Sequence, residues 1–249
     1  MSSSIKIKSF QLFKAKANLK KPISDATHTL SEISFLVVRL TLENGVIGEA
    51  YLLSFQYSPQ AIVGALKDML PQTIGYEAFE TGKVYEHFNH AAEYFGNQGI
   101  NRWAQGAINI AMWDAWTKTL GQPVWKVLGA YRDKCSIYGS GGWLSYSIDE
   151  LIAEVSDYKE RGFKAVKIKV GSDKWQTDAE RLKLVRAAVG NDVDIMMDAN
   201  QGMQLPAAVQ LAQKAAELGI FWFEEPLNHQ NFDGYQQLKN KTGIALAMG

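Results

Sequence analysis

Cysteine is almost missing from this sequence of 249 residues: Cys135 stands alone. A disulfide within the chain is thereby excluded, and a reducing compartment is the expectation. An excess of one charge is also missing, since 26 Lys and Arg balance 26 Asp and Glu. Neutrality removes the electrostatic case for nucleic acid or an anionic membrane surface as partner. No stretch approaches the ~18 apolar residues of a membrane span. The opening MSSSIKIKSF has no apolar signal core. Hydrophobic residues at 47% and charged residues at 21% are ordinary globular values, which excludes a disordered, fibrous or collagen-like chain. The expectation is a soluble, cytoplasmic protein of two domains.

The first part reads as α+β. Ile5–Lys16 alternates in part, Ile33–Leu42 is rich in Leu and Val, and Val46–Leu53 returns after Glu43-Asn44-Gly45. Asn-Gly between two such runs predicts a hairpin. Asn18–Ser31 is too polar for a core strand, so a loop is expected there, of a length that is often functional. Helices are expected from Ser58-Pro59 to about Leu70, over roughly Glu77–Phe95, and from about Asn101 to Thr119. In the last of these, Ala104, Ile108, Ala111, Met112 and Ala115 recur at helical spacing. Gly121-Gln122-Pro123 stops it, and Val124–Leu128 forms a short turn.

From Cys135 the pattern changes to alternating strands and helices. Strands are expected at Ser136–Ser140, Ala165–Val170, Asp194–Asp198, Ile220–Glu224 and Ile244–Met248. Helices are expected at Ser147–Arg161, Thr177–Val189, Leu205–Leu218 and Phe232–Asn240. Ser147 with Glu150, and Thr177 with Glu180, read as capping boxes, and Pro206 suits a first helical turn. Such alternation means βαβ units on a parallel sheet. The polar strand ends Lys167, Asp198 and Glu224 recur at roughly the ~31 residues of a (β/α)8 unit. About half a barrel is therefore expected behind an α+β domain. An open doubly wound sheet is the alternative, but no Gly-rich phosphate fingerprint follows any strand.

The candidate chemistry lies at those strand ends. In Val166-Lys167-Ile168-Lys169-Val170, alternation puts both lysines on one face and the aliphatics on the other. Two ammonium groups inside a barrel are costly unless a carboxylate, a metal or a substrate compensates. Each would depress the other's pKa and help one serve as a base. A water-exposed strand is the bland alternative. Asp198 could be a metal ligand or only the cap of the next loop. Glu224 and Glu225 alternate, so at most one faces the interior; solvated loop glutamates are the alternative. Together, however, these residues end three consecutive strands, on the face where barrel enzymes keep their sites. Hard oxygen ligands suit Mg²⁺, and a lysine beside them suits proton abstraction next to a carboxylate.

At this point the chain resembles the enolase superfamily, and within it the mandelate racemase subgroup of the mandelate racemase/muconate lactonizing enzyme family. The matching elements are Lys167-x-Lys169, Asp198-Ala-Asn200, Glu224-Glu-Pro226 and the segment Ala104–Gly129, with a departure at Asn109, where an acidic residue is common. The resemblance implies an α+β capping domain, 1–134, and the first half of a (β/α) barrel, 135–249, of the modified (β/α)7β type. It implies a small-molecule carboxylate as substrate; the charge balance and the lack of apolar spans speak against nucleic acid or membrane as partner, and the open edges expected of a sheet that stops at its fifth strand point to a homo-oligomer. Lys169 resembles the second-strand base and Lys167 the lysine that tunes it and contacts the substrate carboxylate. Asp198 and Glu224 resemble two Mg²⁺ ligands, and Asn200 a polar residue near the substrate. Asn18–Ser31 and Leu52–Tyr57 resemble the loops that close the site, from which His28 could touch substrate. His87, His90 and His229 are expected to be structural or on the surface.

The implied activity is Mg²⁺-dependent removal of the α-proton of a hydroxy acid or acid sugar, giving an enediolate, followed by dehydration or racemisation. A muconate cycloisomerase or dipeptide epimerase type is the alternative within the family. A non-catalytic fragment or binding protein is the alternative outside it. In the family a third acidic ligand follows the fifth strand, and here that position is expected just beyond Gly249. The reading is therefore of a chain truncated after the fifth barrel strand and lacking turnover by itself.

Overall fold

The computed structural model describes residues 4–54, 59–94 and 96–248. They divide into two compact units, one comprising residues 1–19 and 32–134 and the other residues 20–31 and 135–249.

The first unit is built on an antiparallel sheet in the order β1-β2-β3, with β1 at Ile7–Ser24, β2 at Thr29–Leu42 and β3 at Ile47–Leu53. The expected Asn-Gly turn joins β2 to β3. The Asn44 side chain accepts the Val46 N–H at 3.0 Å, and β2 pairs with β3 from Phe35↔Leu53 to Thr41↔Ile47. Helices α1 (Pro59–Met69), α2 (Thr81–Ala91), α3 (Ile100–Thr119) and α4 (Val124–Val127) follow, with a 3₁₀ turn at Leu70–Thr73. The small residues of α3 let it lie close on the sheet: Ala104, Ala107, Ile108, Ala111, Met112 and Ala115 are all buried in one core with Leu36, Val38 and Leu40. The expected start of the first helix at Ser58, the end of the second at Phe95 and part of the Leu52–Tyr57 loop lie outside the described residues.

One expectation is corrected here. Asn18–Ser31 is mostly strand, because β1 continues to Ser24 and β2 begins at Thr29. Polar residues suit this stretch, since most of its side chains from Asn18 to Ser24 are exposed or half-buried, and ladder hydrogen bonds need no apolar side chain. Only a tight turn remains: the Asp25 carboxylate accepts the N–H groups of Thr27 and His28, each at 2.8 Å.

The second unit is a parallel sheet in the order β4-β5-β6-β7-β8, with strands at Gly139–Gly141, Ala165–Lys169, Asp194–Asp198, Ile220–Glu224 and Leu246–Ala247. Helices α5 (Ile148–Glu160), α6 (Trp175–Val189), α7 (Leu205–Glu217) and α8 (Phe232–Thr242) alternate with them. The aliphatics of β5 and β6 (Val166, Ile168, Ile195, Met197) share a core with α5–α8 residues such as Leu151, Leu182, Leu211 and Leu238. Alternation gives the opposite face to Lys167 and Lys169 on β5 and to Met196 and Asp198 on β6. The Ser147–Glu150 capping box is present. The Thr177 box is not: α6 begins two residues earlier, after Lys174, with no side-chain cap. The first barrel strand is shorter and later than Ser136–Ser140, and the fifth is confined to Leu246–Ala247. No helix among the described residues is long and apolar enough to cross a membrane.

Candidate active site

Parallel pairing brings the strand ends level. Lys169 pairs with Asp198, Asp198 with Glu224, and Ser140 with Lys167. Alternation then turns both lysines away from the helix-facing core, as the sequence pattern requires. They are buried, Lys167 at 8% and Lys169 at 9% exposure, and Asp198 is 2% exposed. Carboxylates supply the compensation that such burial demands. The Lys167 Nζ donates to both oxygens of Glu224 at 2.8 Å and lies 3.4 Å from Asp198 Oδ2. The Lys169 Nζ donates to the same Asp198 oxygen at 2.6 Å and to Asn200 Oδ1 at 2.8 Å. Asp198 Oδ1 accepts the backbone N–H of Asn200 at 2.9 Å. Five of the six expected site residues therefore form one bonded network from three adjacent strands.

Charge balance changes one expectation. Burial pulls the Lys167 pKa down, but Glu224 and Asp198 outweigh it, and the group titrates above its ordinary value. In this arrangement the carboxylates matter more to Lys167 than its neighbouring lysine does.

The backbone beyond the strands is bent sharply. Asn200, Gln201 and Glu225 have φ values of 43°, 67° and 40°, a left-handed region that is uncommon outside glycine and concentrates at functional sites. Gln201 N–H donates to the Glu225 carbonyl at 2.7 Å, which ties the two bends together. The sixth expected residue, His28, sits in the β1–β2 turn, its Nδ1 2.8 Å from Thr27 Oγ1. Thr27 Oγ1 in turn donates to the Asn200 carbonyl at 3.3 Å. The turn thus reaches Asn200 through Thr27. His229 Nδ1 meets Gln201 Oε1, and His87 Nε2 meets Gln72 Oε1, each at 2.8 Å; His90 pairs with Glu93 at 3.0 Å.

Three aromatic residues were missed. The Lys167 Nζ lies 5.6 Å from the Tyr138 ring centroid. Tyr138 meets Trp222 edge-on with centroids 5.8 Å apart, and Trp222 Nε1 lies 3.3 Å from Glu224 Oε2. These contacts close a ring from Lys167 through two aromatics back to Glu224. Trp143 approaches Lys169, its ring centroid 5.4 Å from Nζ. Alternation could have found Trp222, two residues before Glu224 on the same strand. Trp143 lies past the strand end, where period carries no information.

Asp198 and Glu224 both reach one amino group, so their oxygens converge as a hard divalent cation would require. Among the described residues no group of three or more acidic, His or Cys side chains could hold a metal. Two carboxylates are what this chain's described residues bring.

A lysine and carboxylate cluster at the strand ends of a parallel β/α sheet defines an enzyme-type barrel site. Comparison with known proteins places it further. Residues 7–129 match the mandelate racemase/muconate lactonizing enzyme N-terminal domain, and residues 150–249 match the enolase C-terminal domain-like family. The chain belongs to the mandelate racemase/muconate lactonizing enzyme family of the enolase superfamily, and its parallel unit is part of a TIM-type barrel. L-talarate/galactarate dehydratase from Salmonella typhimurium is 30% identical over 238 residues, covering 93% of this chain and 60% of that protein. L-Ala-D/L-Glu epimerase from Bacillus subtilis is 29% identical over 236 residues, covering 90% of this chain and 61% of that protein. The crystal structure of the Salmonella dehydratase liganded with Mg and L-lyxarohydroxamate superposes with a TM-score of 0.91 at 29% identity, covering 98% of this chain and 64% of that one. The chain thus spans about three fifths of the length of the curated relatives it matches.

Proposed function

We propose that this chain carries the proton-abstraction half of an Mg²⁺-dependent enolase-type site acting on a hydroxy acid or acid sugar, with dehydration or racemisation as the outcome. The observation that carries it is the single network of Lys167, Lys169, Asp198, Asn200 and Glu224. Lys169 takes the α-proton, for which its amine must be neutral. Lys167 binds the substrate carboxylate and sets the position of Glu224. Asn200, and His28 from the β1–β2 turn, contact the acid. Asp198 and Glu224 would hold a divalent cation, which supplies positive charge against the developing enediolate. Residues 1–134 act as the capping domain and 135–249 as the barrel portion. A cytoplasmic location and homo-oligomeric state belong to the same reading.

Epimerisation or cycloisomerisation is the second reading, supported by the 29% identity to L-Ala-D/L-Glu epimerase.

The test is α-proton exchange into deuterated buffer, followed by NMR with Mg²⁺ and a panel of aldonic and aldaric acids. Exchange should occur with at least one acid, and Lys169→Ala should lower it by roughly 10³-fold, within the range for losing a positioned base. Exchange unchanged in that variant would remove Lys169 from the mechanism.

A further inference from the structure

The proton-transfer reading leaves the largest side chain beside Lys169 without a task. Trp143 follows β4, half-buried, with its ring 5.4 Å from the Lys169 Nζ. Strand order decides what lies on either side of that amine. Lys169 ends β5, Asp198 and Glu224 end β6 and β7, and Trp143 lies past the other neighbour, β4. On the assignment of Lys169 as base, an acid whose carboxylate is held by β6 and β7 would run its remaining carbons across Lys169 toward the indole. A productive base sits about 3 Å from the carbon it deprotonates, so the next one or two carbons fall within contact of the ring.

The backbone around Trp143 is tightly held. The Gly142 carbonyl accepts from the Lys169 N–H at 3.1 Å and from Arg181 Nη2 at 2.9 Å. The Trp143 carbonyl accepts from the same guanidinium nitrogen at 3.1 Å. The Gly142 N–H donates to Glu154 at 2.6 Å. Gly142 has φ of 60°, and a Cβ there would lie 2.5 Å from the Ile168 Cβ, so only glycine serves. The strand of the base and the loop that carries the indole share one backbone anchor, the Gly142 carbonyl.

We propose that Trp143 is a specificity-determining residue. Its indole face packs against the C–H-bearing carbons beyond the α-carbon, and so favours acids that carry such a chain over acids that do not. This rests on the assignment of Lys169 as the base at the α-carbon.

The test compares glycolate, which has no carbon beyond the α-position, with the aldonates arabinonate and gluconate. Dissociation constants are measured by calorimetry on residues 1–249 with Mg²⁺ present. Tryptophan is supplied as 5-fluorotryptophan, and the Trp143 fluorine line is assigned by its loss in Trp143→Phe. The aldonates should move that line. Trp143→Ala should weaken aldonate binding about tenfold, the upper range for an aromatic contact, and leave glycolate within about twofold. Trp143→Phe should restore most of the loss. Trp143→Leu keeps bulk without the aromatic face; it should also weaken aldonates, and it serves if the alanine variant fails to fold. Aldonate binding that leaves the Trp143 line unmoved and survives in the leucine variant would overturn the inference alone. If no acid binds the unaltered chain, the proposed function falls and this inference with it.

Discussion

Asp198 Oδ2 is shared by two lysines, at 2.6 Å from Lys169 and 3.4 Å from Lys167. That one oxygen couples the base to the proposed cation ligands, and each carboxylate is separately testable. Asp198→Asn and Glu224→Gln keep shape and remove charge. Each should weaken Mg²⁺ binding at least about tenfold, a loss that even an outer-shell partner's removal can bring. Calorimetric titration of the two variants against the unaltered chain reads this. Equal affinities in all three would take both residues out of the proposed cation site. The lysine pair was legible because strand alternation puts both on one face, and the Asp and the Glu because each ends a strand of the repeat. Their partners were not, because a hydrogen bond between residues 57 positions apart, such as Lys167 to Glu224, depends on which strands become neighbours.

At the scale of the element, α6 has a second task besides covering the sheet. Its buried Asp178 accepts the N–H groups of Gly171 and Ser172, each at 3.0 Å, just past β5. Its buried Arg181 holds the carbonyls of Gly142 and Trp143, just past β4. One helix face therefore fixes the starts of two loops that flank the site. Asp178→Ala strands two half-buried donors and leaves the buried Arg181 without its counter-charge, so a loss of about 2 kcal/mol is expected in urea unfolding. Burial pushes the Asp178 carboxyl above its ordinary value, against the pull of Gly171, Ser172 and Arg181. A carboxyl raised in this way holds its proton more tightly folded than unfolded. Stability should thus fall as pH rises from the unfolded pKa through the folded one, and Asp178→Asn should flatten that slope. The Thr177 capping box failed as an expectation for a related reason. A box is a local signal, and α6 is started earlier by Trp175, which packs against the barrel-unit core.

Across the whole molecule, each unit has its own core, and the parallel sheet ends in β4 and β8, each paired on one side only among the described residues. Exposed apolar side chains accompany those strands, among them Ile137 and Met248. Unpaired edges beside apolar surface promote association. Size-exclusion chromatography with light scattering should give a mass above the 27.7 kDa of one chain, rising with concentration. A constant 27.7 kDa at every concentration would count against it.

By itself the sequence determined the order of elements, the hairpin at Asn44-Gly45, the α+β to β/α change at Cys135 and the shared face of Lys167 and Lys169. All of these are set by local period and turn chemistry. Tertiary structure alone decided that Asn18–Ser24 is strand, that residues 20–31 cluster with the barrel unit, and that Tyr138, Trp143 and Trp222 surround the lysines. It also decided that the Lys167 pKa is raised, because the balance between burial and two distant carboxylates exists only once β5, β6 and β7 lie side by side.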